Sequence, residues 1–365
     1  MKVADLKMEI YRWKRPRPIR NGRHIYPNTG LNVIKIETDE GITGIGLCGN
    51  ALEGEKVCKE IMEQLKIHVI GQDPFDNEKI WYDMWQPKFV GSRGITTRVI
   101  SGIDIALWDV KGKACNIPLY KILGGFTNRV PVYIAGGYYE EGKGLRELAS
   151  EMEKSVAMGA KAIKMKIGGA PIKEDVDRVR VVREAVGPEV KIMVDANCAY
   201  YYYEAIEIAR KIEKYDIFWF EEPVNPDDRK GYQLINQAAI IPIATGENEY
   251  TRYGFRELIE NRCAAILQPD ALIMGGITEF MKVAAMAQAQ DLPISSHGKQ
   301  EVHIHLLSAI PNGLNIEYFG SATDPMWDKK YKETLKIKNG FLYPPDSPGI
   351  GLELDEEALS PYKIA

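Results

Sequence analysis

From residue 130 to 319 the sequence repeats one pattern eight times: a short apolar run, a polar residue at its end, then a helix-like stretch. The runs are VPVYIAGG (130–137), AIKMKI (162–167), KIMVDAN (191–197), IFWFEEP (217–223), IPIATGE (241–247), AAILQPD (264–270), LPISSH (292–297) and LNIEYF (314–319). Each has the length and the β-branched and aromatic content of a strand. The stretches between them, such as EDVDRVRVVREAV (174–186) and ITEFMKVAAMAQAQ (277–290), carry helical periodicity. Strands alternating with helices are expected to lie parallel, joined by crossovers, and eight such units are the number that closes a barrel. A doubly wound open sheet is the competing architecture, but it usually brings a glycine-rich phosphate turn after its first strand, and none is present here.

The remainder of the chain frames this repeat. LNVIKIETDEGITGIGLCG (31–49) alternates, turns at Asp39-Glu40-Gly41 and alternates again, which predicts a hairpin. Helices are predicted around 54–70, 74–85 and from 96 to near Gly112, with Pro118 opening another. The cluster GGFTNRVP marks a boundary. The expected division is a mixed α and β domain over 1–125, the barrel over 126–320, and an irregular segment, 321–365, returning to the first domain. A net charge of −4 gives no reason to expect nucleic acid as a partner. No apolar run has the length of a membrane span, and the start, MKVADLKMEIYRWKR, lacks a secretory signal. Five scattered cysteines without a C-x-x-C pair fit reduced thiols in a cytoplasmic protein.

In a barrel, functional residues gather at the C-terminal ends of the strands. Here those ends carry Lys164 and Lys166, Asp195 and Asn197, Glu221 and Glu222, Glu247, Asp270, His297 and Glu317. From Lys166 the successive spacings are 29, 26, 26, 23, 27 and 20 residues, each one βα unit, so the side chains fall around one ring. Read alone, each acid would cap the next helix. Together, Asp195, Glu221 and Glu247 repel one another unless a cation sits among them, and an all-oxygen set suits Mg2+. Lys164 and Lys166 alternate onto the same strand face. Lys164 is expected to lower the pKa of Lys166 and so make it a base. Asp270 is expected to hold His297 in one tautomer. Glu317, if protonated by burial, would donate to a substrate carboxylate. His303 and His305 read as structural or surface groups. Such a set can remove the proton alpha to the carboxylate of a 2-hydroxy acid, with charge developing on oxygens that face the metal.

These residues resemble the enolase superfamily, and within it the mandelate racemase subgroup. The likeness runs through SGIDIALWDVKGKACNIPLYKILGG, KMK (164–166), VDAN (194–197), FEEP (220–223), TGEN (245–248), QPD (268–270), SSH (295–297) and IEYF (316–319). The resemblance implies an N-terminal α+β capping domain, a modified TIM barrel of (β/α)7β type, and a C-terminal segment returning to the cap. It implies Asp195, Glu221 and Glu247 as Mg2+ ligands, Lys166 beside Lys164 as one base, and the His297–Asp270 dyad as the other. Glu317 matches a position that binds the substrate carboxylate, and Asn197 a polar position beside the metal.

The family closes a loop between its first two strands over the substrate; here that is KRPRPIRNGRHIYPNTG (14–30), with Arg15, Arg17, Arg20, Arg23, His24, Tyr26 and Asn28. Such donors, Arg20, His24 and Tyr26 among them, suit a polyhydroxylated acid better than an apolar one. A second cap loop, at 49–51, is small. The expected activity is a Mg2+-dependent dehydratase that converts an aldonic or aldaric acid to its 2-keto-3-deoxy acid. A racemase, an epimerase or a sugar-acid cycloisomerase would use the same residues. A non-catalytic metal-binding protein of the same fold is the alternative of a different class. A homo-oligomer is also implied by the family.

Overall fold

Short alternating segments and long amphipathic ones are the two building materials of the N-terminal domain. The computed structural model describes residues 1–49, 54–86 and 93–365, so residues 50 and 51 of the 49–51 loop lie outside the described residues. Strands β1 (Val3–Arg20), β2 (Ile25–Thr38) and β3 (Thr43–Cys48) form an antiparallel sheet in that order. Helices α1 (Glu55–Leu65), α2 (Asn77–Met84) and α3 (Ile95–Ala114) cover one face, and α4 (Leu119–Ile122) follows Pro118. Leu6, Met8, Ile10, Ile34 and Ile36 of the sheet pack on Ile100, Ile103, Ala106 and Val110 of α3. Gly44 and Gly46 let α3 come close: a Cβ on Gly46 would lie 1.9 Å from the Gly102 carbonyl oxygen.

The expected loop over 14–30 is largely strand. β1 pairs with β2 from Leu6↔Ile36 to Lys14↔Asn28, then resumes at Ile19↔Tyr26 and Arg20↔Ile25 after a register shift. Pro16 and Pro18 fall within the interruption, where a residue without an N–H costs no ladder hydrogen bond. Only 21–24 remain as the turn of this long hairpin. Its end docks on the barrel, since Arg20 N donates to Tyr139 O at 2.8 Å and Tyr139 N to Arg20 O at 2.9 Å.

The barrel strands are β4 (Val130–Gly136), β5 (Ala162–Lys166), β6 (Lys191–Asp195), β7 (Ile217–Glu221), β8 (Ile243–Thr245), β9 (Ile266–Leu267), β10 (Ile294–Ser296) and β11 (Gly313–Tyr318). They are parallel neighbours in chain order, and β11 pairs with β4 to close the ring. Between them run α5 (Leu145–Ala157), α6 (Ile172–Val186), α7 (Tyr202–Ile212), α8 (Arg229–Ala238), α9 (Thr251–Glu260), α10 (Gly276–Gln288) and α11 (Gln300–Ala309). Among the described residues this makes seven barrel helices for eight strands, a (β/α)7β barrel beside a separate α+β domain.

Period-two alternation decides which side chains face the axis. Tyr133, Ala162, Met193, Trp219, Ala244 and Ile266 form an inner layer, while Ile163, Met165, Ile192, Val194 and Phe220 belong to the larger core that includes the helices. One step of two beyond the inner layer stand Lys164, Asp195 and Glu221, and Lys166 lies two further along β5. The C-terminal segment adds β12 (Phe341–Leu342), antiparallel to β4, and ends on β1, where Ile10 N donates to Ala365 O and Ile364 N to Ile10 O.

Candidate active site

Every ionisable group that stands at a barrel strand end in the sequence also borders one region of the structure, at the strands' C-terminal ends. Asp195, Glu221 and Glu247 each offer an oxygen within 4.8 Å of the other two. Asp195 and Glu221 end their strands, whereas Glu247 lies two residues past β8 and stays partly open to the cavity. Neighbours aim these acids. Asn197 N donates to Asp195 Oδ1 at 2.8 Å, while Trp219 Nε1 and Gln268 Nε2 donate to Glu221 Oε2 at 3.0 and 2.6 Å.

The two lysines lie among the carboxylates. Lys164 Nζ bonds Glu221 Oε1, lies 2.7 Å from Glu317 Oε1 and 3.7 Å from Asp195 Oδ2, while Lys166 Nζ pairs with Asp195 Oδ2. Burial alone would lower the pKa of Lys166. Asp195, with Tyr138 and Glu247 beside it, together outweigh burial and hold the lysine above its ordinary value, although Lys164 pulls the other way. This corrects the expectation of a lowered lysine: the sequence shows the neighbouring ammonium but not the carboxylate that the fold brings across from β6. Glu317 is corrected likewise. Burial raises its pKa, but the charges of Lys164 and His297 hold it below the usual carboxylate value, so it accepts from Gly298 N at 3.0 Å as an anion. Glu221 goes the other way, pushed up by burial and by the charges of Asp195, Glu247 and Glu317, because one ammonium cannot serve all of them.

On the other side of the acids, His297 Nδ1 lies 2.9 Å from Asp270 Oδ2, and Asp270 Oδ1 accepts from Leu272 N at 2.8 Å. With Nδ1 donating to Asp270, Nε2 is the atom left facing the acids, 3.6 Å from Glu247 and 4.0 Å from Glu317. Burial lowers the imidazole, but Glu247, the Asp270 hydrogen bond and Glu317 together raise it to about 10. His303 is buried under this dyad, accepting from Ala271 N at 2.9 Å and lying 3.5 Å from Asp270 Oδ1. His305 is also buried and structural.

Lys166, Asn197, Glu247, Asp270 and His297 line a cavity of about 640 Å3 whose roof is the β1–β2 hairpin, including His24 and Tyr26. Asn21 Nδ2 holds the Tyr26 hydroxyl at 2.9 Å. Arg20 is not part of that lining. Its guanidinium donates to Gly169 O at 2.8 Å and stacks 4.8 Å from the Tyr139 ring centre, because the strand continues through position 20 and turns the side chain onto the barrel rim. Sequence reasoning placed Glu222 at a strand end without a role and missed Gln268, Trp219 and Tyr138. Glu222, in a left-handed conformation (φ 40°), accepts from Asn248 Nδ2 at 2.7 Å, and burial beside Glu247 and Asp195 raises its pKa. Tyr138 holds its ring 5.0 Å from Lys166 Nζ. Trp219 could have been found, since it stands two residues before Glu221 on the same strand face; Gln268 and Tyr138 give no such signal.

The same architecture occurs in known proteins. Residues 5–124 match the mandelate racemase / muconate lactonizing enzyme N-terminal domain, and residues 147–358 an enolase C-terminal domain-like family. The chain is 37% identical to arabinonate dehydratase of Saccharolobus solfataricus over 90% of its own length and 89% of that protein's. It is 35% identical to 3,6-anhydro-alpha-L-galactonate cycloisomerase of Streptomyces coelicolor, covering 98% of each chain. A racemase from Streptomyces coelicolor A3(2), solved with bound magnesium, superposes with a TM-score of 0.93 at 33% identity, over 99% of this chain and 100% of that one.

Proposed function

Because the chain belongs to the mandelate racemase / muconate lactonizing enzyme family of the enolase superfamily, we propose that it is a Mg2+-dependent dehydratase of an aldonic or aldaric acid. The observation that carries this is an all-oxygen acidic triad whose Glu247 lines the same cavity as Lys166 and the carboxylate-held His297, with Asp195 and Glu221 buried just beneath. The donors fit a hard divalent ion: three carboxylates lie close together, and Glu247 Oε2 is buried without a hydrogen-bond partner. Asp195, Glu221 and Glu247 would hold the ion, and Gln268 and Trp219 would keep Glu221 aimed at it. When bound, Mg2+ supplies positive charge against the substrate carboxylate and so acidifies the adjacent C–H.

Lys166 and His297 are the proton-transfer groups. They come from β5 and from the end of β10, with the acid-bearing strands β6, β7 and β8 between them. Once the Asp195 charge is engaged by a cation, Lys166 loses the partner that raises it most. Burial and Lys164, which both lower its pKa, then make Nζ a base. His297 keeps Asp270 and Glu317 beside it, so its imidazolium can give the Nε2 proton to a β-hydroxyl leaving as water. The enol left by that loss tautomerises to the 2-keto-3-deoxy acid. Asn197, whose Oδ1 is buried without a partner, His24 and Tyr26 are placed to meet substrate hydroxyls.

A cycloisomerase is the second reading, favoured by the full-length likeness to such an enzyme. Incubating the magnesium-supplied protein with a stereochemically complete set of sugar acids separates the two. A dehydratase releases a keto acid 18 Da lighter than one substrate, a loss of one water. Deuterium wash-in with retained mass identifies an isomerase, and no reaction with any acid sinks both.

A further inference from the structure

A second group of charges borders the same cavity and takes no part in the chemistry described above. Arg15 of β1, Lys299, Asp324 and Lys330 all face it. Asp324 is fully used: Oδ1 accepts from the Trp13 indole at 2.9 Å and from Met326 N at 3.0 Å, and Oδ2 lies 2.9 Å from Lys330 Nζ. Lys330 also has Glu301 at 3.8 Å, so its charge is answered twice.

Arg15 and Lys299 are different. Arg15 spends Nε on the Thr323 carbonyl at 2.9 Å and Nη1 on the carbonyls of Tyr26 and Asn28, and has no carboxylate in ion-pair range among the described residues. Lys299, which follows the His297-Gly298 turn, has neither a hydrogen bond nor an ion pair to its Nζ among the described residues. Burial and the Lys330 charge lower its pKa to about 8. Both side chains are half-buried. Arg15 and Lys299 repel each other across the cavity wall, and the acids that reach them, Asp324 and Glu301, are already engaged by Lys330. Two like charges partly desolvated and without a carboxylate in ion-pair range among the described residues are costly to the free protein, and an anion bound between them relieves that cost. Neutral hydroxyls would be served as well by uncharged donors.

We propose that Arg15 and Lys299 form a subsite for a second carboxylate, at the end of the substrate remote from proton transfer, so that the substrate is an aldaric rather than an aldonic acid. This rests on the sugar-acid reading above. Charge-assisted contacts of this kind favour the dianion by about tenfold or more.

The test is calorimetric titration of the magnesium-supplied full chain with matched pairs, each six-carbon aldarate against its own aldonate, which differ only at C6. In at least one pair the aldarate binds about tenfold tighter, with a ratio that shrinks as salt is raised. Lys299→Met and Arg15→Gln each drive that ratio toward one, and Lys299→Arg keeps it. The subsite is overturned if the aldonate binds as well in every pair, if both variants weaken the two members alike, or if a 6-phosphoaldonate outbinds both. Binding is read apart from keto-acid release. A charge-dependent ratio without any release refutes the dehydratase and supports the subsite, whereas release with a ratio of one does the reverse.

Discussion

Lys166 sits where opposing influences meet, and its protonation depends on which of them is engaged. Burial and Lys164 favour the neutral amine, and Asp195 favours the ammonium. The KMK spacing makes the lysine pair legible, since period two forces both onto one face. The partner of each lysine was not legible, because Asp195 and Glu221 lie 29 and 57 positions away and only the parallel register of β5, β6 and β7 brings them alongside. If Lys166 and His297 divide the proton transfers, Lys166→Ala and His297→Asn should each lower kcat for keto-acid release by about 100- to 10,000-fold, with smaller changes in KM. Steady-state kinetics on both variants, with circular dichroism to confirm folding, checks this. Residual turnover within a factor of ten of the parent in either variant would remove that residue from the chemistry.

At the scale of the element, alternation was a dependable guide and loops were not. All eight apolar runs became barrel strands, yet β9 keeps only two residues and Glu247, Asp270 and His297 stand in the loops beyond their strands. The proline- and arginine-rich stretch was expected as a loop because the family resemblance implies a lid between its first two strands. It is strand because its partner, β2, supplies pairing on both sides of the break at Pro16 and Pro18. In β3, the glycines of TGIG are spacers for α3 rather than turn formers. Gly46→Ala should therefore cost roughly 1–3 kcal/mol or more, because the added methyl meets helix backbone that cannot rotate away. Gly41→Ala, in the open hairpin turn at φ 80°, meets no neighbouring atom and tests backbone strain alone. Denaturant titration of both compares the two costs. An unchanged midpoint for Gly46→Ala would contradict the close packing of β3 on α3.

Across the whole molecule, the cap, barrel and C-terminal segment are tied by a few buried polar groups. Trp81 Nε1 of α2 donates to Gly275 O at 2.7 Å, and Thr278 of α10 donates to Asp104 of α3. His305 of α11 accepts from Tyr120 N of α4 at 3.3 Å and donates to Ile350 O of the C-terminal segment at 2.9 Å. Burial lowers its pKa to about 4, against 6.5 for an ordinary histidine. A base with a lowered folded-state pKa adds stability above pH 6.5, and that stability is lost as pH falls toward 4, because the unfolded chain takes up the proton first. Thermal unfolding between pH 7 and 4 should therefore fall more steeply for the parent than for His305→Gln. The difference approaches roughly 3 kcal/mol at the acid end. Parallel curves would show that His305 is not the neutral link between the three parts.

The order of residue types along the chain was enough, by itself, to predict a closed parallel barrel, the ring of ionisable side chains at its strand ends, and the mixed α and β region before it. Those features depend on local periodicity and on a spacing of one βα unit, both of which survive in one dimension. The ionic partner of each lysine, the Trp219 and Gln268 bonds that aim Glu221, and the turning of Arg20 away from the cavity depend on register between strands and on contacts between distant segments. Only the packed chain decides them, because a side chain's charge state follows from what surrounds it in space rather than from what precedes it in sequence.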